Sequence, residues 1–441
     1  MISPEVQQRI RQLNPWVIKP EDADSLIKQR LPENYVLRKG EAVPAANDRA
    51  VLVIGPRQAG KSTLVWHRIK SKAPEILFLN MEDALLRIGL KDPIDFIEHV
   101  REIYPFIKII FLDEVQHMEE AGLFVKALID AKLGISLWVT GSSSFHLNSR
   151  TRESLAGRAT RYRLLPFSFT EILENTKAKN PVAASVLEEE IVRHQLVWGS
   201  YPAVYLADKT ETKNMLLSDL VEALILRDAS DIFRIKRIDA FRKLLMLLAG
   251  QIGSLVNLSE LAAVCNVDVG TVLSYLEILE ESHVVKKIIP FAEGKRREIT
   301  GAPKVYFVDN GIRNQLLNNF SPMTDLRVDR GQLFENWAFT EIYKNIGLSG
   351  SIKFWRSKAG AEVDFIIEES GKTMALEVKY ASVKQPKIGK SAHSFLDAYK
   401  LDQFAILNMN LDTTLQVNGC NVCFLTPRNF ASWIVQTLRG K

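Results

Sequence analysis

Residues 51–62 read Val51-Leu52-Val53-Ile54-Gly55-Pro56-Arg57-Gln58-Ala59-Gly60-Lys61-Ser62. An apolar run of strand length leads into a loop bounded by two glycines, and the residues after it, Thr63 to Ile69, predict a helix. Backbone N–H groups cradle a phosphate chain only where the turn is tight and side chains leave room, which explains the glycines. We therefore predict a phosphate-binding loop. A strand-turn-helix corner that holds its glycines by chance is the alternative.

The positions of this loop have distinct predicted roles. Lys61 is expected to reach the β- and γ-phosphates of a nucleotide, and the Ser62 hydroxyl to bind Mg²⁺. The residues predicted to surround the nucleotide are Gly55, Pro56, Arg57, Gln58, Ala59, Gly60, Lys61, Ser62 and Thr63. The expected cofactors are therefore ATP and Mg²⁺.

Length and composition limit the class of protein. A chain of 441 residues, 46% of them apolar, is too long for one ordinary core and predicts two to four domains. The net charge of +5 permits a nucleic-acid partner without requiring one. No apolar run approaches the roughly 18 residues that a membrane helix needs, and the first residues do not resemble a signal peptide. We expect a cytoplasmic protein without a membrane partner.

The three cysteines do not predict a metal site. Cys265 lies in a helical pattern, while Cys420 and Cys423 form a single CxxC within a strand-like run, Val417 to Leu425. Because no second pair accompanies the CxxC, structural thiols are favoured over zinc ligands.

A pair of carboxylates supplies the second half of the nucleotide site. Apolar runs of strand length alternate with helical patterns after the loop, so the sheet should be parallel. One run ends in Asp113-Glu114, and ligands bind such sheets at the carboxyl ends of the strands. Asp113 is expected to bind Mg²⁺ together with Ser62, and Glu114 to polarise the attacking water. The pair predicts a hydrolase, although adjacent acids at a strand end are common.

The next run of strand length, Ser136 to Gly141, ends in Ser142-Ser143-Ser144. Ser142 is expected to sense the γ-phosphate from the neighbouring strand. A serine-rich turn without this role is the alternative.

Several motifs together resemble one group of AAA-type (AAA+) P-loop ATPases, in which a domain of unknown function (4143) follows the ATPase. The ATPase motifs are the loop, Asp113-Glu114, Thr140-Gly141-Ser142-Ser143, Leu155-Ala156-Gly157-Arg158 and Leu165-Pro166-Phe167-Ser168-Phe169. Signatures similar to the second domain are Gly199-Ser200-Tyr201-Pro202, Lys304-Val305-Tyr306-Phe307-Val308-Asp309 and Gly331-Gln332-Leu333-Phe334-Glu335-Asn336. The resemblance covers essentially the whole chain.

This resemblance implies a homo-oligomeric ring, such as a hexamer. Ring-forming AAA proteins use an arginine of the neighbouring subunit to stabilise transition-state charge. Arg158 is the candidate for this role, followed by Arg152 and Arg161. An arginine in a polar loop can equally be a solvated surface charge.

A helix-turn-helix pattern lies farther along the chain. Ser259 is predicted to cap the first helix, Asn266-Val267-Asp268 to form the turn, and Thr271 to Glu281 to form the second helix. Two strand-like runs follow, joined by a basic tip with Lys295, Arg296 and Arg297. This is a winged-helix plan with a basic wing that contacts DNA backbone, although purely structural packing explains the helices equally well.

The last part of the chain contains the spacing of PD-(D/E)xK nucleases. Asp364 is followed twelve residues later by Glu377, and Lys379 lies two positions beyond it. Glu377 and Lys379 should share one face of a strand, beside Asp364 on the neighbouring strand. A preceding helix can add Glu335 as a further ligand. Such a fold can cut DNA or only hold it.

The predicted fold is α/β: an AAA+ P-loop ATPase with a parallel sheet and a helical lid, then a winged helix, then an α/β restriction-endonuclease-like domain. The predicted segments are an N-terminal helical extension (1–48), the ATPase core (49–175), a helical lid or connector (176–250), the winged helix (251–318) and the nuclease-like domain (325–441). The predicted function is ATP-driven remodelling of, or translocation on, duplex or branched DNA, of the helicase or branch-migration type. An ATP-controlled metal-dependent nuclease and a nucleotide-gated switch with a protein partner are the alternatives.

Overall fold

The structure, a computed structural model, divides by its contacts into two compact units, Met1–Leu165 and Pro166–Lys441. The residues it describes are 2–39, 49–141, 155–176, 181–225, 235–291, 301–401 and 403–439. The segments predicted as a helical connector, a winged helix and a nuclease-like domain all fall within the second unit.

The first unit is built on a five-stranded sheet in which every pair of neighbours is parallel. The strands are β1 (Ala50–Ile54), β2 (Ile76–Asn80), β3 (Ile109–Asp113), β4 (Ser136–Gly141) and β5 (Ala159–Arg163). Their order across the sheet is β2-β3-β4-β1-β5. The predicted parallel sheet is confirmed, and the glycine-bounded loop follows β1, which lies between β4 and β5.

Helices cover both faces of this sheet. They are α1 (Pro4–Leu13), α2 (Pro15–Ile18), α3 (Ala23–Lys28), α4 (Lys61–Ile69), α5 (Ala84–Gly89), α6 (Pro93–Ile103) and α7 (Ala121–Asp130). Because side chains of a strand alternate between faces, Leu52 lies in one apolar core while Val51 and Val53 lie in the other. Burial on both faces explains why β1 has a continuous apolar run.

The N-terminal segment protects an edge of the sheet. The Asn14 side chain accepts a hydrogen bond from Phe78 N at 2.6 Å and donates one to Phe78 O at 2.8 Å. Trp16 Nε1 donates to Ile76 O at 2.8 Å. An edge strand exposes unpaired backbone groups. These bonds therefore satisfy the outward-facing backbone groups of Ile76 and Phe78 on the edge strand β2.

The second unit contains helices both before and after its strands. They are α8 (Phe169–Asn175), α9 (Pro181–Trp198), α10 (Pro202–Leu206), α11 (Thr210–Glu222), α12 (Ile238–Gly250), α13 (Leu258–Cys265), α14 (Val269–Glu281), α15 (Asn310–Leu316), α16 (Arg330–Asn345), α17 (Lys390–Ala398) and α18 (Pro427–Arg439). One apolar core contains Leu220 of α11, Leu245 of α12 and Leu276 of α14. The predicted connector therefore shares its core with the helix-turn-helix segment.

The helix-turn-helix segment differs from its prediction at its first cap. Asn257, rather than Ser259, caps α13, because its side chain accepts hydrogen bonds from Ser259 N and Glu260 N. The predicted turn is present, with Asn266 in the left-handed region at φ 53°, and α14 begins at Val269 after the Asp268 cap. Across the described ranges, no single helix is long and apolar enough to span a membrane, and only α13 with α14, bent by 99°, together have that length and composition.

An eight-stranded mixed sheet forms the rest of the second unit, in the order β12-β13-β11-β10-β9-β8-β6-β7. Its strands are β6 (Val285–Pro290), β7 (Lys304–Phe307), β8 (Ser351–Arg356), β9 (Glu362–Glu369), β10 (Lys372–Val378), β11 (Gln403–Leu407), β12 (Thr413–Val417) and β13 (Cys420–Leu425). The antiparallel pair β6–β7 adjoins this sheet through parallel pairing of β6 with β8. The two strands of the predicted wing therefore continue the sheet of the predicted nuclease-like domain.

Two tight turns shape this sheet. Ser370 and Gly371 have positive φ and join β9 to β10. Asn418 and Gly419 also have positive φ and separate β12 from β13. The prediction of one strand-like run from Val417 to Leu425 is therefore wrong, because Asn-Gly is a strong signal for a two-residue hairpin turn.

Candidate functional site

The loop after β1 has the backbone geometry of a phosphate-binding turn. A Cβ atom on Gly55 would lie 1.9 Å from the carbonyl oxygen of Leu164, so only glycine fits there. Gly60, with φ 90°, immediately precedes α4, and Gln58 also has a positive φ of 60°. Leu164 N donates to Ile54 O at 2.7 Å, which holds the end of β5 against the start of the loop.

Lys61 is the cation of this site. Its side chain is buried, and Nζ donates a hydrogen bond to Pro56 O at 3.0 Å. Nζ also lies 3.8 Å from Glu114 Oε1. The lysine therefore spans from the loop to the second carboxylate, as expected for a group that contacts the terminal phosphates.

Ser62 and Asp113 lie together, as predicted for Mg²⁺ ligands. Ser62 Oγ donates to Asp113 Oδ1 at 2.8 Å, and Thr140 Oγ1 donates to the same oxygen. Burial, followed by the charge of Glu114, raises the pKa of Asp113 to about 6. Hydroxyl and carboxylate oxygens are the ligands that Mg²⁺ prefers, so these residues fit that ion when nucleotide is bound.

Glu114 is held as an ionised carboxylate beside Lys61. Its backbone is left-handed, with φ 54°, and its N–H donates to Thr140 Oγ1 at 3.0 Å. Gln116 Nε2 donates to Glu114 Oε2. Burial acts to raise the pKa of Glu114, but Lys61 and Gln116 outweigh it, so the pKa lies below its ordinary value. A charged, oriented carboxylate suits a general base.

Thr140 is a site residue that the sequence analysis names only as part of a motif. Its side chain is fully buried at the end of β4, where it joins Asp113 to the backbone of Glu114. The signal is its position, since β3 and β4 are parallel neighbours and a polar residue ends an otherwise apolar strand.

Removing the Thr140 hydroxyl should weaken catalysis without changing the fold. We expect Thr140→Val to slow ATP hydrolysis by about tenfold, because two buried partners lose a hydrogen bond that contributes ~1–3 kcal/mol. Thr140→Ser keeps the hydroxyl and is the matched control. Steady-state rates across a Mg²⁺ titration measure the effect, and equal loss in both variants would contradict an orienting role.

Other predicted loop residues have supporting positions. Arg57 Nη2 lies 3.5 Å from Glu82, and its charge helps to lower the pKa of Glu114. Thr63 lies in the first turn of α4. Ala59 O accepts a hydrogen bond at 3.0 Å from Arg38, a buried residue of the N-terminal extension that also donates to Leu165 O at 2.5 Å. The extension, whose role is not legible from sequence, therefore contacts the phosphate-binding loop.

Arg158, the candidate arginine finger, lies far from this loop within its own chain. It directly precedes β5, whose Ala159 pairs with Ala50 at the start of β1. The strands are parallel, so Arg158 lies at the edge opposite the loop, about 13 Å away along β1. Arg158 Nε lies 3.0 Å from Asp130. A finger at this position could serve only a neighbouring subunit, and its role stays a prediction.

Several predicted contacts lie outside the described residues. They are Ser142, the alternative finger Arg152, and the basic tip Lys295, Arg296 and Arg297. Arg161, the other alternative finger, lies within β5.

The residues of the nuclease-like spacing lie on two interior strands of the eight-stranded sheet and on α16. Asp364 is near the start of β9, and Glu377 is near the end of the antiparallel β10. Asp364 Oδ2 accepts a hydrogen bond from Val378 N at 2.7 Å, and Lys379 Nζ lies 2.7 Å from Glu377 Oε1. Burial, followed by the charges of Glu335 and Glu377, raises the pKa of Asp364 well above its ordinary range. The four residues predicted from the nuclease spacing are therefore close neighbours.

Lys304, Tyr306 and Glu362 also belong to this cluster, and the nuclease spacing does not predict them. Glu335 Oε1 accepts from the Tyr306 hydroxyl at 2.5 Å and lies 3.8 Å from the buried Lys304 Nζ. Lys304 also donates to Glu362. Burial raises the pKa of Glu335, against the opposing effect of Lys304. The Lys304 and Tyr306 strand can be recognised in sequence, but only the folded sheet brings it to Glu335.

The carboxylates of this cluster do not form a metal cage. Among the residues that the structure describes, no three His, Cys, Asp or Glu side chains are arranged to hold one metal ion. Glu335 instead pairs with Lys304, and Glu377 with Lys379. The cluster is thus balanced in part by Lys304, which the nuclease spacing does not include, and by Lys379, which belongs to that spacing.

Comparison with protein families identifies three regions. Residues 47–173 match the AAA domain, residues 189–323 match a domain of unknown function (DUF8612), and residues 330–426 match another domain of unknown function (DUF4143). The first and third matches confirm the predicted combination of an AAA-type ATPase with the 4143 domain. The DUF8612 match spans most of the predicted connector and all of the predicted winged helix.

The chain is similar to proteins of other microorganisms over most of its length. The chain is 27% identical over 344 residues to an uncharacterised protein of Haemophilus influenzae, covering 75% of this chain and 82% of that protein. It is 25% identical over 359 residues to an uncharacterised protein of Mycobacterium tuberculosis, covering 81% of this chain and 76% of that protein.

Two solved structures are similar at low scores. The Thermotoga maritima RuvB Holliday junction branch migration motor aligns over 73% of this chain and 96% of its own, with 16% identity and a TM-score of 0.28. The replication initiator DnaA bound to AMPPCP and single-stranded DNA aligns over 64% of this chain and 93% of its own, with 18% identity and a TM-score of 0.26.

Proposed function

Because the chain combines an AAA domain with a C-terminal domain of unknown function (DUF4143), we propose that it hydrolyses ATP and uses that energy to remodel DNA or to move along it. The observation that carries the hydrolytic part is at the end of the phosphate-binding loop, where Lys61 lies 3.8 Å from Glu114 and Ser62 donates a hydrogen bond to the adjacent Asp113. The lysine, the magnesium ligand and the base of an ATPase occur there in one place.

Each residue has a proposed part in hydrolysis. Lys61 neutralises charge on the terminal phosphates, and Ser62 with Asp113 would hold Mg²⁺, which supplies further neutralisation of phosphate charge when bound. Glu114 accepts a proton from the attacking water. Thr140 keeps Asp113 and the backbone of Glu114 at fixed positions, so the reacting groups need little rearrangement.

Duplex or branched DNA is the proposed substrate of the mechanical work. Support comes from the basic residues Lys295, Arg296 and Arg297, which follow β6 in the sequence, and from the net charge of +5. We expect a homo-oligomeric ring as the working assembly, in which Arg158 reaches the ATP of a neighbour.

The basic tip provides a direct test of DNA contact. We expect alanine substitution of Lys295–Arg297 to weaken DNA binding equally for all sequences, and to lower the salt dependence by roughly one log-log unit for each phosphate that the tip no longer neutralises. Alanine at the exposed Lys28, Lys72 and Lys91 makes the same charge change elsewhere and is the control. Fluorescence titrations at several salt concentrations measure both. Equal affinities for the tip variant and wild type would remove the tip from the DNA interface.

The carboxylate cluster favours holding DNA over cutting it. Asp364, Glu335 and Glu377 lie close together, yet Glu335 pairs with Lys304 and no three-ligand group occurs among the described residues, which disfavours cleavage. An ATP-controlled nuclease, the alternative function, requires this site to cut.

We therefore expect no nicking of supercoiled DNA with Mg²⁺ or Mn²⁺. Asp364→Ala should bind DNA as tightly as wild type or more tightly, because a carboxylate without a metal repels phosphate. Asp397→Ala, at an exposed position, is the matched control, and gel assays measure both properties. Nicking that Asp364→Ala and Lys379→Ala each abolish would favour the nuclease instead.

A further inference from the structure

The helix-turn-helix segment is unusual in its charge. Residues 244–285 contain no Lys or Arg, in a chain with 57 such residues among 441. The acids within this range are Glu260, Asp268, Glu277, Glu280 and Glu281. A helix that enters a DNA groove needs cations to offset the phosphates. This segment has a net negative charge, so it does not meet that requirement.

The second helix, α14, carries an exposed stripe at helical spacing. Its buried side contains Val272, Tyr275, Leu276 and Leu279. The exposed positions on the other side are Val269, Gly270, Leu273, Ser274 and Glu277. Val269 and Leu273 are each 38% exposed and lie one turn apart, so they form one apolar strip. Small residues flank this strip, and small residues allow another backbone to approach closely.

The first helix contributes a second exposed apolar position. Val264 of α13 is 40% exposed, and the adjacent Ala263 is also exposed. The turn of Asn266-Val267-Asp268 brings the end of α13 directly to the start of the α14 strip. We call the positions Ala263, Val264, Val269, Leu273 and Glu277 the α13–α14 surface.

The acids of this segment divide into paired and available groups. Glu280 pairs with Lys286 at 2.9 Å and with Lys287 at 3.6 Å. Within the described ranges, Glu260, Asp268 and Glu277 form no ion pair with Lys or Arg. Arg237 approaches from before α12, where it donates to Asn266 O and lies 3.4 Å from Asp239. Lys243 also lies near enough to α13 to act on Cys265. The rim therefore contains three carboxylates, with Arg237 and Lys243 as the nearby cations.

We propose that the α13–α14 surface docks a helix of a partner protein, one that presents apolar side chains flanked by Lys and Arg. An amphipathic helix laid on a groove or face uses apolar anchors at helical spacing, which Val269, Leu273 and Val264 can receive. The acidic rim attracts and orients a basic partner and repels nucleic acid. This inference does not depend on ATP hydrolysis, so failure of one leaves the other intact.

Peptide selection tests this assignment although the partner protein is unidentified. A displayed library of random peptides of about 16 residues, or about four helical turns, is selected on the full chain. The selected peptides are then tested for binding to the Leu273→Ser variant. Leu273 is partly exposed and is not among the buried core residues, so this variant should fold normally. We expect peptides that require Leu273 to be enriched in Lys and Arg and to have apolar residues at helical spacing. A selection without Leu273-dependent peptides, or with acidic ones, would overturn the proposal.

Affinities of a selected peptide then test each component of the surface. We expect Leu273→Ser to weaken binding at least about tenfold, and Glu277→Lys to weaken it and to reduce its salt dependence. Leu348→Ser, at another exposed leucine of the same unit, should bind as wild type does. Duplex DNA should bind Leu273→Ser and Leu348→Ser as it binds wild type, and Glu277→Lys at least as tightly, because that change removes a repulsive carboxylate. If Leu273→Ser instead weakened DNA binding and spared the peptide, the surface would be a DNA contact.

Discussion

Lys61→Ala should lose nucleotide binding almost completely. The lysine is buried and lies between Pro56 O and Glu114, where its charge is directed at the phosphate-binding loop. Loss of a charge-assisted contact in a water-poor site should weaken ATP binding by more than about a hundredfold, or ~2.7 kcal/mol. Equilibrium binding of a fluorescent ATP analogue measures the effect.

Lys72→Ala is the matched control for this substitution. Lys72 is exposed and precedes β2, so it lies at the edge of the parallel sheet opposite the loop. Its removal changes the net charge equally and should leave ATP binding unchanged. Nucleotide binding by Lys61→Ala close to the wild-type value would disprove the phosphate-binding role of the loop.

Glu114→Gln should separate binding from hydrolysis. Glutamine keeps the size and can retain the Gln116 contact, but it cannot accept a proton from water. Because a positioned general base contributes about 10²–10⁴-fold, we expect hydrolysis to fall by that factor while ATP binding persists. A nucleotide-loaded assembly should then accumulate, which size-exclusion chromatography with bound-nucleotide analysis detects.

Glu119→Gln tests whether the effect is specific. Glu119 is exposed five residues farther along the chain, and its neutralisation should leave the rate unchanged. If Glu114→Gln hydrolyses ATP at the wild-type rate, the assignment of the second carboxylate is wrong.

The ATP site could be predicted in detail because its residues are contiguous or end strands. Gly55 to Ser62 form one uninterrupted motif, and Asp113-Glu114 end a clear apolar run. Thr140 and Arg38 could not be assigned in this way. The role of Arg38 arises from a long-range contact with Ala59 that leaves no local pattern. Thr140 is visible as a polar residue near the end of an apolar strand, but its role follows only from the pairing of β4 with β3.

The fold was predictable where patterns are periodic and less so elsewhere. Strand β5 has no clear signal, because Arg161 and Arg163 interrupt its apolar pattern, and its pairing with β1 determines its structure. The helix-turn-helix was recognisable from its turn and its helical spacing, although its first cap is Asn257 rather than the predicted Ser259. The exposed strip of Val269 and Leu273 could not be recognised in the sequence. An apolar residue type does not reveal which side of a helix packs against the rest of the protein.

The nuclease-like spacing illustrates a different limit. Asp364, Glu377 and Lys379 were predicted to lie together and do so. Lys304, sixty residues earlier than Asp364, reaches Glu335 only through the pairing of β7 within the same sheet. A motif can thus predict which residues meet, whereas the partners that balance their charge depend on the complete fold.

The ATPase rate of the wild-type protein, measured with no DNA and with single-stranded, duplex and branched DNA, tests the central claim most directly. We predict Mg²⁺-dependent hydrolysis that duplex or branched DNA accelerates and that Glu114→Gln abolishes. Slow hydrolysis that no DNA changes would favour a nucleotide-gated switch with a protein partner. A wild-type protein that binds ATP but does not hydrolyse it under any of these conditions would contradict the account.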